Sequence, residues 1–79
     1  MRYEEAWIWQ DRITTAANAL GYTVWDLRYN GKSCSFALEL EQTLGDEQIS
    51  ALCAHMPLPT DYDGVGGHGS RFTIYGNLP

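Results

Sequence analysis

The chain is short of positive charge: five Lys and Arg stand against ten Asp and Glu, a formal net charge of −5. Gripping nucleic acid directly requires a basic stripe to neutralise phosphates, so direct nucleic-acid binding is not expected. Cysteine is scarce as well. Cys34 and Cys53 are too few for a disulfide-stapled scaffold, and their spacing matches no zinc knuckle. They read as reduced, hydrophobe-like thiols on core faces, with a disulfide open only if strand and helix meet there. No apolar run approaches the roughly 20 residues of a membrane span. The opening Met1-Arg2-Tyr3-Glu4-Glu5 has no apolar stretch of the secretory type. A cytoplasmic protein off the membrane is the expectation.

What is present is enough to fold. Hydrophobic residues make up 44% of the 79 positions and aromatic residues 13%, too rich for a disordered tail. One small domain with a thin core fits this length.

The local patterns are specific. Residues 3–20 read as a helix: Arg2, Ala6, Trp9, Ile13, Ala16, Ala17 and Leu20 form one stripe at helical period. Glu4 and Glu5 complement the dipole of its first turn, and Gly21 supplies a left-handed exit. Residues 22–40 read as a hairpin around Asn30-Gly31, a dipeptide that favours a two-residue turn with positive φ. That turn pairs Tyr29 with Lys32, Leu27 with Cys34, Trp25 with Phe36 and Thr23 with Leu38, joining apolar faces. Val24, Asp26, Arg28, Ala37 and Glu39 fall on the other face. A second helix over 44–56 carries Ile49, Leu52, Cys53 and Met56 on one side. Thr43 with Asp46 resembles a capping box, Gly45 being the rival N-cap, and Pro57 and Pro59 stop the helix. Residues 57–70 read as a glycine-rich loop and 71–75 as a last strand with Phe72 and Ile74 inward. The expected fold is α+β: an α-β-β-α-β two-layer sandwich, its three-stranded antiparallel sheet in the order 2-1-3, with two helices on one face; strand 3 parallel to strand 2 is the alternative.

Motifs of chemistry are thin. Gly64, Gly66 and Gly69 spell GxGxxG, but the motif follows a helix and precedes a strand, the reverse of a dinucleotide fold. Asp61, Asp63 and His68 offer too few ligands for calcium and the wrong ones for zinc, so no metal is expected. His55 beside Cys53 lacks an orienting third group, and no GxSxG elbow occurs. An enzyme and a cofactor are not expected.

Charge placement is the informative feature. Residues 1–32 hold four acids and four bases, whereas residues 33–70 hold Glu39, Glu41, Asp46, Glu47, Asp61 and Asp63 with no Lys or Arg. Such asymmetry points to a basic partner surface. Trp7 is the second feature: on the helical wheel it opposes the core stripe, beside Tyr3, Gln10, Asp11 and Thr14, as an apolar anchor would. The sheet face away from the helices is a third candidate, for a partner or for a dimer.

In size, acidity, compactness and lack of catalytic motifs, the whole chain resembles the small phage-encoded anti-CRISPR proteins. The resemblance implies an inhibitor occupying the DNA- or PAM-binding groove of a guide-RNA surveillance complex, with Glu39, Glu41, Asp46, Glu47, Asp61, Asp63 and Trp7 as contacts. Two other classes share the profile: an antitoxin- or immunity-type inhibitor of a nuclease, and a self-associating phage structural or accessory protein. Monomer and homodimer are both open.

Overall fold

A computed structural model describes residues 3–76 of the chain, with the side chains of residues 5–76. The Arg2 end of the expected helical stripe therefore lies outside the described residues, as does the side chain of Tyr3. Helix α1 runs Tyr3–Ala19. Ile13 and Ala17 are fully buried, Ala6 nearly so, while Leu20 turns outward. Gly21 takes φ +89°, and the Tyr22 N–H donates to the Ala17 carbonyl at 3.1 Å, a left-handed exit that satisfies a terminal carbonyl.

Strands β1 (Val24–Asn30) and β2 (Ser35–Leu40) form the hairpin, in a register different from the one the Asn-Gly pair suggests. Tyr29 lies opposite Phe36 and Leu27 opposite Leu38, not Lys32 and Cys34. The turn holds four residues, 31–34. Asn30 spends its side chain on the Lys32 N–H, at 3.0 Å, and the left-handed residue is Cys34, φ +51°, rather than Gly31. The partner slides by four positions, an even number, so apolar faces still meet. At the start of β1 a bulge intervenes: Val24 pairs with Leu40 and Asp26 with Glu39, leaving Trp25 as the extra residue. The bulge reverses two expectations, since Val24 packs against the core and Trp25 points away from it, 52% exposed.

Helix α2 spans Asp46–His55, shorter than 44–56. Gly45, not Thr43, is its N-cap, and the Gln48 Oε1 accepts the Gly45 N–H at 2.8 Å. Leu44 stays outside the helix because its N–H donates to the Oγ of fully buried Ser70, at 2.9 Å.

The expected loop 57–70 contains a strand, β3 (Thr60–Val65), which pairs antiparallel with β4 (Ser70–Tyr75). The sheet is therefore four-stranded in the order β1-β2-β4-β3, and the last strand lies beside β2 rather than β1. Burial explains this. β2 supplies Phe36, Leu38 and Leu40, all essentially inaccessible, and β4 supplies Phe72 and Ile74. The most apolar strands take the centre, and the charged ones take the edges. Both helices contribute to the cluster these side chains form, through Ala6, Ile13 and Ala17 of α1 and Leu52 of α2, with Met56 just beyond it. The opposite side of the sheet, the open face, carries Asp26, Arg28, Ala37, Glu39, Asp61, Asp63, Arg71, Thr73 and Tyr75.

Candidate interaction surface

The six acids of the base-free segment are dispersed. Asp61 and Asp63 stand on the open face of edge strand β3. The Tyr75 hydroxyl donates to Asp61 Oδ2 at 2.9 Å and the Thr73 hydroxyl donates to Asp63 Oδ2. Each hydroxyl holds one oxygen and orients the carboxylate. A side effect is that the phenol of Tyr75 is pushed above its ordinary value, first by that hydrogen bond and then by the charge of Asp61. Asp46 and Glu47 are exposed in the first turn of α2, where the helix dipole favours them. Glu41 is exposed just beyond β2.

Glu39 behaves differently. Its side chain is only 16% exposed on central strand β2. Its Oε2 accepts the His68 backbone N–H at 2.8 Å and lies 3.1 Å from His68 Nδ1, while its Oε1 lies 3.5 Å from Arg71 Nε. The backbone hydrogen bond above all, with the His68 ring and the Arg71 charge, holds the carboxyl below its ordinary value despite partial burial. Glu39 thus ties the β3–β4 turn to the sheet.

Sequence reasoning missed the company Glu39 keeps. Trp25, Asp26, Arg28, Ala37, His68 and Arg71 line a shallow cleft of about 460 Å³ with it. Asp26 accepts from Arg28 at 2.8 Å. Only the break in apolar alternation at Trp25-Asp26 signals this group, because Glu39 and His68 are far apart in the chain.

The glycines of the GxGxxG run have a packing role here. A Cβ on Gly66 would sit 2.4 Å from Arg71 Cδ and 2.9 Å from Glu39 Oε1. One on Gly69 would meet the carbonyl oxygens of Leu40 at 2.3 Å and Gln42 at 2.6 Å. The turn lies flat on β2 only because these positions have no side chain.

Trp7 is 76% exposed, with Ile8 beside it in sequence also exposed. Together with Gln10, Asp11, Thr14 and Leu27, Trp7 lines a groove of about 300 Å³ where α1 meets β1. The fold therefore puts Trp7 against one edge strand and the Asp61–Asp63 pair on the other. It does not unite them into one patch.

Among the described residues no group of three or more His, Cys, Asp or Glu is placed to hold a metal ion. Cys34 and Cys53 are free thiols, and burial, aided by the charge of Asp61, pushes the Cys53 thiol up. No described helix is long and apolar enough to cross a membrane. Compared with known proteins, the chain matches no family model, and no curated protein or solved structure matches it significantly.

Proposed function

We propose that this protein is a non-enzymatic binding protein that docks its acidic surface on a basic, nucleic-acid-binding surface of a larger partner. The supporting observation is the stretch of residues 33–70, which carries six acids and no Lys or Arg, five of whose acids project from exposed positions. Glu41, Asp46, Glu47, Asp61 and Asp63 are the contacts, while Glu39 acts indirectly by fixing the turn that follows β3. Carboxylates held on a rigid frame attract a basic groove at long range and compete there with phosphates.

A guide-RNA surveillance complex is the partner that the anti-CRISPR resemblance implies, with the protein blocking access of target DNA. The antitoxin or immunity reading uses the same electrostatics against a nuclease. The experiment is a tagged pull-down from bacterial lysate, washed at low and high salt, with mass spectrometry of what is retained. A stoichiometric nucleic-acid-binding assembly that is lost as salt rises supports the reading, and its composition separates surveillance complex from nuclease. A lane holding only the bait contradicts it.

A further inference from the structure

The two outer strands of the sheet carry opposite charge patterns. On the open face β3 presents Asp61 and Asp63, two like charges. β1 presents Asp26 and Arg28, one of each sign, with Leu27 between them on the core face. β2 lies on one side of β1 and no described strand lies on the other.

From this contrast we propose that the chain pairs with a second copy of itself through the outer edge of β1. A two-fold axis through Leu27 lays the two β1 strands antiparallel. Asp26 of one copy then lies opposite Arg28 of the other, twice over, and Leu27 lies opposite Leu27. Directly opposed residues of unlike charge stabilise an antiparallel pair, and an isologous contact uses each such pair twice. The same operation on β3 would set Asp61 against Asp63 and is repulsive, so charge selects one edge and protects the other.

The apolar surface agrees with the choice. Leu27 is only partly buried and shares its groove with Trp7, the most exposed large hydrophobic side chain among the described residues. Pairing at β1 brings the two grooves together and gives Trp7 a surface to cover. The bulge at Trp25 keeps the ladder short, so this apolar contact carries much of the association. The interface does not depend on the acidic docking surface, whose Asp61 and Asp63 stand on the opposite edge.

The test is sedimentation velocity on the full chain at about 100 µM, a concentration that detects even a weak dimer. The wild type is expected to be dimeric. Arg28→Asp and Asp26→Arg, each placing like charges opposite one another, weaken dimerisation about tenfold or more. Mixed together, the two variants form a mixed dimer, and the double exchange Asp26→Arg/Arg28→Asp restores the homodimer. Arg28 is 80% exposed, so its replacement leaves the fold intact, which circular dichroism checks. Trp7→Ala, at another exposed site, weakens the dimer as well. A monomeric wild type, single variants that dimerise as wild type does, or a folded double exchange that stays monomeric would each overturn the proposal.

Discussion

Trp25 lies flat against His68, with ring centroids 3.7 Å apart and planes 22° from parallel. His68 in turn holds Glu39, and Glu39 meets Arg71. This chain of contacts crosses the open face from β1 to β4 and clamps the β3–β4 turn on the sheet.

Trp25 is therefore a clamp and not a core residue. Trp25→Ala is expected to cost about 1 kcal/mol, the scale of an exposed aromatic pair. Phe36→Ala, at a fully buried position, should cost about 3–5 kcal/mol and leave little of a small domain's stability. Urea denaturation of the two variants measures the contrast.

Glu39 makes the fold acid-sensitive. Its carboxyl is depressed in the folded state, so the stability it contributes is complete above the ordinary value of 4.5 and is lost as pH falls through the lower folded value. In Glu39→Gln that contribution is absent. The gap between the urea midpoints of wild type and variant should be wide near neutral pH and should close in acid. A gap that is constant with pH would remove Glu39 from the clamp.

The glycines separate turn chemistry from packing. Gly31 avoids the left-handed region and has only ordinary space around it, so Gly31→Ala should be nearly neutral. In a two-residue Asn-Gly turn the same change would be costly. Gly69→Ala drives a methyl into two backbone carbonyls and should destabilise by more than about 1 kcal/mol. Thermal melts of the two variants give the answer.

Ser70 is the buried polar link between the last strand and the approach to α2. Ser70→Ala strands the Leu44 N–H in the interior at a cost of about 1–3 kcal/mol. Amide exchange at Leu44 should speed up in the variant, whereas exchange in β1 should follow only the global change.

Much of the fold is legible in the sequence, because it depends on local periodicity. The stripe Ala6, Ile13, Ala17 and the exit at Gly21 place α1, and the spacing of Leu52 and Met56 places α2. The exposure of Trp7 beside Gln10, Asp11 and Thr14 also follows from the wheel. What the sequence hides is non-local. β3 reads as a turn because Thr-Asp-Tyr-Asp-Gly-Val is turn chemistry. As an edge strand it can nevertheless keep both Asp on the open face and place Gly64, φ +95°, at a bulge. The sheet order follows from it, since β4 has a neighbour on each side. The hairpin register departs from the Asn-Gly expectation because Asn30 caps a backbone amide instead of turning the chain itself. The grouping of Trp25, Glu39, His68 and Arg71 needs both the bulge and the β3 strand, so its one local trace is the break in apolar alternation at Trp25-Asp26.

The acidic surface is tested most directly by comparing the wild type with a Glu41→Lys/Asp46→Lys/Glu47→Lys variant as baits in the pull-down. All three side chains are exposed, so the variant should fold, with a modest loss from the dipole of α2. The account predicts that the wild type retains a nucleic-acid-binding partner at low salt and releases it at high salt, and that the folded variant retains none. Equal retention of the same partner by both baits would contradict it.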